Sequence, residues 1–244
     1  MSKRGQVMIF VLVALVVIAA IIILLLIRSP QEEDRPTTFP TAELENAIET
    51  CIEENARGAI NKLKSQGGFL NEEDAPLGIL EVDSDQGIIY RTAYGFKEGR
   101  SNIISNEGLT FQIERYVDET LPRCANLERP GYTIQGSPQT TASLSEEQLS
   151  LVVSYQVTLK KGEASARTKE LYEKTISTQI EEMRRTAEIV ARSQEENEGL
   201  LDLAETLSTE LNIQLVPINE QNTIFIIYSS EGKPGFTFAS EAST

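Results

Sequence analysis

The 244-residue chain contains no histidine and no tryptophan. Without histidine it lacks the side chain that most often serves as general base and metal ligand near neutral pH, so the common His-dependent triads are excluded. Its two cysteines, Cys51 and Cys124, are too few for a thiolate zinc cage, which takes four ligands in closely spaced pairs. Nothing resembles a C-x-x-C redox pair, and no basic neighbour flanks Cys51 to activate it. Bases are scarce: 22 Lys plus Arg stand against 37 Asp plus Glu, and the first 28 residues hold three bases and no acid. Residues 29–244 therefore carry 19 bases and 37 acids, a net charge of −18. A body this acidic lacks the basic surface that attracts phosphate, so no nucleic-acid partner is expected. No metal, cofactor or catalytic residue is assigned, and the absence of any Asn-x-Ser/Thr sequon argues against N-linked sugars.

What the sequence does contain is a run of 21 apolar residues, Val7 to Ile27, flanked by Lys3 and Arg4 on one side and Arg28 on the other. At about 1.5 Å per residue such a helix spans roughly 30 Å, one bilayer core. A cleavable secretory peptide would be shorter and would end in a small-x-small site, whereas Ile27 leads straight into Arg28, Ser29 and Pro30. Residues 7–27 are therefore read as a retained single-pass transmembrane helix in contact with the lipid bilayer. Lys3 and Arg4, in the basic end 1–6, place the N-terminus in the cytoplasm and the body outside. No Gly-x-x-x-Gly drives association of this helix, so the oligomeric state stays open.

The cluster Lys3-Arg4-Gly5-Gln6 before the apolar run resembles the class III signal of archaeal type IV pilin-like proteins. The resemblance implies cleavage after Gly5, leaving Gln6 as the first mature residue. Phe10 stands where many such pilins carry an acid at the fifth mature position, and the alternative that Lys3 and Arg4 are only topology charges stays open. Residues 28–40, with Pro30, Pro36 and Pro40 around Glu32, Glu33 and Asp34, read as an extended stalk of up to about 35 Å. Three prolines argue against the unbroken helix of a pilin.

Beyond the stalk, apolar residues from Leu44 to Leu63 recur at steps of three and four, predicting a helix from Thr41 closed by Gly67-Gly68. Ile79–Val82 and Ile88–Tyr90 predict a hairpin around Asp83–Gly87. That turn is one residue short of a calcium loop and lacks its closing Glu, so it is read as a capped turn. A second helix is expected over Glu107–Ala125, ending or kinking near Leu121 because of Pro122. Cys51 and Cys124 then both fall on apolar helix faces, and we expect them to be bonded in the oxidising exterior. From Gly131 a meander is expected, with a turn at Gly136-Ser137-Pro138 and a strand at Leu149–Lys160 that alternates apolar and polar residues. A long helix follows, drawn from Tyr172, Ile176, Ile180, Met183, Ala187 and Val190, with a charged face read as solvated. A shorter helix through Leu200 and Leu211 and three short strands close the chain.

The order of these pieces resembles that of single-span surface proteins of small-genome archaea: signal anchor, Cys-bearing helix ending in Gln66-Gly67-Gly68-Phe69, second Cys-bearing helix, meander, long helix, and terminal strand Phe236-Thr237-Phe238-Ala239. The resemblance implies a cell-surface location and carries no functional residue. The expected architecture is α+β: an N-terminal transmembrane helix, a Pro-rich stalk, a helix and hairpin layer at 41–126, and an antiparallel sheet with a long helix at 131–239. The expected function is non-enzymatic, a membrane-anchored extracytoplasmic protein that binds an extracellular or cell-envelope protein or serves structurally. The alternatives are a processed pilin-like filament subunit and an extracytoplasmic hydrolase using paired carboxylates such as Glu53-Glu54, Glu72-Glu73-Asp74 or Glu146-Glu147.

Overall fold

The computed structural model describes residues 41–83, 89–125, 133–197 and 211–242. The expected membrane helix at 7–27, the processing site Gly5-Gln6, the stalk at 28–40, most of the Asp83–Gly87 turn and the helix through Leu200 lie outside them. Packing divides the chain at Phe39 and Pro40, and all described residues belong to the second compact unit. Among the described residues no helix is long and apolar enough to cross a membrane.

The fold is α+β. Helix α1 spans Thr41–Ser65 and buries Leu44, Ile48, Cys51, Ile52, Ala56, Ala59, Ile60 and Leu63 along one stripe. Its end is fixed by glycine geometry: the Gly68 amide donates to the Leu63 carbonyl at 2.7 Å and Gly67 has φ 72°, a left-handed C-cap that side-chain-bearing residues resist. A Cβ on Gly67 would sit 3.0 Å from the backbone nitrogen of Ala93. The same Ala93 amide donates to the Gln66 carbonyl at 3.2 Å, so the Gly-Gly pair lets a strand dock on the helix end.

Two strands follow, β1 (Ile79–Asp83) and β2 (Ile89–Lys97), paired antiparallel from Ile79↔Ala93 to Asp83↔Ile89, and a short β3 at Arg100–Ser101 pairs with the end of β2. Helix α2 spans Asn106–Cys124, with the Ser105 hydroxyl accepting from the Gly108 amide at its N-cap. It does not stop at Leu121. Pro122 falls in the last turn, and the Ala125 amide closes back on the Leu121 carbonyl at 3.0 Å.

The meander comprises β4 (Thr133–Gln135), β5 (Gln139–Leu144), β6 (Gln148–Ser154), β7 (Thr158–Lys161), β8 (Ala164–Arg167) and β9 (Leu171–Ser177). They pair as two three-stranded sheets, β4-β7-β8 and β5-β6-β9. Read along the chain these are two halves of one bent ribbon, and the bend is bridged by Tyr155 N–H to Glu170 O at 2.8 Å and Thr168 N–H to Val157 O at 3.0 Å. The expected turn at Gly136-Ser137-Pro138 is therefore a bend without reversal, since β4 pairs with β7 and β5 with β6, which follow one another along the chain. The alternation read from the sequence runs unbroken through it: Leu149, Leu151, Val153, Tyr155, Val157 and Leu159 are all buried.

Helix α3 spans Ile180–Glu196, so the long helix starts later than expected. Tyr172 and Ile176 sit on β9, facing Val153 and Leu149 across the pair. A spacing of four satisfies both periods, and the cross-strand partners decide for strand. The chain ends in β10 (Ile213–Pro217), β11 (Asn222–Tyr228) and β12 (Pro234–Glu241). These join not the meander but β1 and β2, in the order β1-β2-β12-β11-β10. The β12–β2 pair is parallel, Ala239 beside Tyr94, a departure from the purely antiparallel sheet expected. α1 packs on β12, β9 and α2; α2 packs on β5; α3 packs on β2, β3, β11 and β12.

Candidate functional site

The element that organises the surface is the α1–α2 pair. Cys51, buried on α1, is bonded to Cys124 at the end of α2, with Cα atoms 5.7 Å apart, a spacing natural to a disulfide. The extra helical turn through Pro122 is what carries Cys124 to this position. The pairing expected from the sequence is thus present.

A groove of about 790 Å³ opens beyond the C-terminal end of α1 and is lined by Gln66, Phe69, Glu72, Glu73, Ile79 and Arg91 among others. Phe69 turns inward and is buried. Arg91 on β2 pairs with Glu72 and, at 2.8 Å, with Glu81. Next to it Arg115 of α2 pairs with Asp74 and holds that carboxyl below the usual aspartate range, with help from the Asn71 amide. These side chains are a third to a half exposed, so each pair is worth little on its own.

A second groove of about 460 Å³ follows the open face of α1, lined by Asn46, Glu49, Glu53, Glu54, Arg57 and Lys174. Glu49 receives Lys169 and, at 3.3 Å, Lys174. The hydrogen bond from Lys169 is the main cause of a lowered Glu49 carboxyl, against the opposing effect of burial. Glu45 accepts from the Lys169 backbone amide at 2.8 Å. This is a seam that holds α1 to β9.

A buried ionic cluster lies where α3 meets the loop before α2. Arg184 is 8% exposed and binds Glu181 through two nitrogens, at 2.8 and 3.1 Å. It also donates to Glu188 at 2.8 Å and to the Ile104 carbonyl at 3.3 Å. The hydrogen bonds with Glu181 raise the guanidinium further above its already high range, against the opposing effect of burial. This corrects the reading of the α3 charges as a wholly solvated face. A signal was there: Ile180, Arg184, Ala187 and Ala191 follow steps of four, three and four, which puts Arg184 on the buried stripe.

In each carboxylate group singled out in the sequence at least one acid is met by an arginine. Glu53 is tied to Arg57 at 3.0 Å, Glu72 to Arg91, Asp74 to Arg115 and Glu146 to Arg185 at 2.8 Å. Among the described residues, burial raises the carboxyl of an acid the sequence reading did not select, Asp118 of α2, where it outweighs the hydrogen bond from the Thr140 hydroxyl at 2.7 Å. It stands without a second carboxylate in that bond. Tyr155, wholly buried in the meander, has its phenol pushed up to about 12 by burial. Among the described residues no group of three or more acidic or cysteine side chains is placed to hold a metal ion. Comparison with protein-family models, with curated proteins and with solved structures finds no match for this chain.

Proposed function

We propose that this chain is a membrane-anchored, extracytoplasmic surface protein whose body acts by binding or as a structural unit, without catalysis. The observation that carries the reading is the Cys51–Cys124 disulfide. Disulfides persist in oxidising compartments, and the apolar run from Val7 to Ile27 behind a basic end supplies the anchor and the orientation. Arginine pairing of Glu53, Glu72, Asp74 and Glu146 supports the non-catalytic part, because a catalytic carboxyl is raised by burial or by a like charge and these four are met by guanidinium groups. The groove beside Gln66–Glu73 is the surface we assign to a partner from the cell envelope.

The test is alkylation of intact cells with a membrane-impermeant maleimide, with and without reductant, followed by mass measurement. Two labels added only after reduction fit the proposal; labelling without reduction, or only after lysis, sinks it. The cluster Lys3-Arg4-Gly5-Gln6 favours a second reading, a processed pilin-like subunit. A mature chain starting at Gln6, together with polymer that disappears when Gly5 is replaced by a bulky residue, selects that reading over a single anchored domain.

A further inference from the structure

A third pocket lies between α1 and the β9–α3 connection. It has a volume of about 170 Å³ and is lined by Arg57, Ile60, Asn61, Lys64, Ile176 and Thr178, with Ser177 at its edge. No acidic side chain lines it, in a body that carries 37 acids against 19 bases. The other basic residues of α1 and of the β9 region that have described partners are engaged elsewhere. Arg57 is held by Glu53, Lys62 stands over the Tyr116 ring at 4.8 Å, and Lys169 and Lys174 share Glu49.

Lys64 differs. Burial is the sole influence on its ammonium, lowering it from the usual lysine range, and among the described residues no carboxylate offsets that cost. The hydroxyl of Thr178 accepts from the Ile180 amide at 3.3 Å, which leaves its own hydrogen free to donate into the pocket. Asn61 adds an amide donor and Ile60 and Ile176 add apolar wall.

We propose that the pocket around Lys64 binds a carboxylate, with the acid group on Lys64 and Thr178 and its carbon stem on Ile60 and Ile176. A carboxylate brings one charge and two acceptor oxygens, which matches one uncompensated ammonium and neutral donors. Phosphate or sulfate would bring close to two charges where Arg57 is already paired with Glu53 and one ammonium is left to meet them. The acid can come from a free small molecule or from an acidic side chain of a polypeptide. The inference stands apart from the question of membrane topology.

The experiment uses the full chain in detergent micelles and trifluoroacetate as a fluorine NMR probe. A saturable, millimolar broadening that acetate displaces, weakened at least ten-fold in Lys64→Met and retained in Lys64→Arg, is the expected result and identifies a free acid as a competent ligand. If small acids fail and an oligoglutamate peptide binds with the same Lys64 dependence, the proposal holds with a polypeptide as source. Binding that is equal in Lys64→Met, displacement by inorganic phosphate at lower concentration than by acetate, or no Lys64-dependent binding by any of these probes overturns it. Lys160→Met, an exposed lysine, controls for loss of charge alone.

Discussion

The two sheet regions of this protein are built on opposite plans. In the meander, β5 meets β6 through the short turn at Ser145–Glu147, β6 meets β9 across the ribbon whose tip is the β7–β8 pair, and the β6–β9 register runs without a break from Gln148↔Ser177 to Ser154↔Leu171. In the mixed sheet, β12 is set beside β2, and the Thr92 hydroxyl donates to the Thr237 carbonyl at 3.0 Å across 145 residues. The cores differ in kind as well. The meander buries Leu149, Leu151, Val153 and Tyr155 on one face, while the mixed sheet buries Phe96, Phe225, Phe236 and Phe238, with Phe225 and Phe238 stacked at 5.0 Å. Local alternation marks the first in the sequence; the second is assembled from distant parts of the chain, and helices cover both.

Because α1 touches both β12 and β9 while α2 covers β5, the Cys51–Cys124 bond joins the two plans. Its removal is expected to have the largest effect. Closing a 73-residue loop contributes roughly 4 kcal/mol in the chain-entropy model. The double substitution Cys51→Ala and Cys124→Ala should lower the urea midpoint accordingly, and hydrogen exchange should show amides of both sheets losing protection together. Loss confined to one sheet would separate them into independent units and break the view that the staple unites them.

Next in size are truncations within each core. Phe238→Ala in the mixed sheet should cost about 4 kcal/mol and Leu151→Ala in the meander about 3. The kinetic partition sharpens the contrast. A sheet closed over 145 residues is expected to form late, so Phe238→Ala should mainly speed unfolding, and Leu151→Ala should mainly slow folding. Stopped-flow arms with the opposite assignment would show that the long-range pairing nucleates the fold.

How much could be read in advance follows the same division. The stripe from Leu44 to Leu63 and the apolar strands Ile213–Val216 and Thr223–Tyr228 appear where their periods place them, whereas the alternation expected as one strand over Leu149–Lys160 is carried by two, β6 and β7, which pair in different sheets. Tyr172 and Ile176 were ambiguous because a step of four fits two periods, and only the partners Val153 and Leu149 resolve it. The pairing of β12 with β2 left no mark, since no local pattern reports a strand's distant neighbour. For the sites, the two cysteines were legible by elimination and helical phase. Burial of Arg184 was signalled by its place on the stripe of Ile180, Ala187 and Ala191, whereas the raised carboxyl of Asp118 had no such mark, because it depends on β5 being brought against α2 at Thr140.

A smaller effect is expected at the bend of the meander. The Tyr155 hydroxyl is buried and has no hydrogen-bond partner among the described residues, so its removal gives up no bond and relieves a desolvated polar group. Tyr155→Phe should leave the urea midpoint unchanged or raise it by the equivalent of about 1 kcal/mol. A clear loss would mean that the phenol holds the bend by a bond of its own.

The finest test uses two carboxylates on either side of α2 that respond to acid with opposite sign. Asp74 ties the turn before β1 to Arg115, and its folded carboxyl lies below its unfolded value. Its contribution is therefore present above the ordinary aspartate range near ~3.9 and is lost as pH falls through the lower folded value. Asp118 faces Thr140 of β5, and burial places its folded carboxyl above the unfolded value. The folded state then binds more protons than the unfolded state between the two values, so this group's contribution is greatest at low pH and declines as pH rises through the raised folded value. Asp74→Asn should flatten the acid loss of stability, and Asp118→Asn should steepen it while relieving the cost near neutrality. Urea midpoints measured between pH 3 and 6 distinguish the two slopes. Equal slopes in both variants would mean that the mixed-sheet and meander sides of α2 present the same electrostatic environment, which the Arg115 pair on one side and the neutral Thr140 contact on the other argue against.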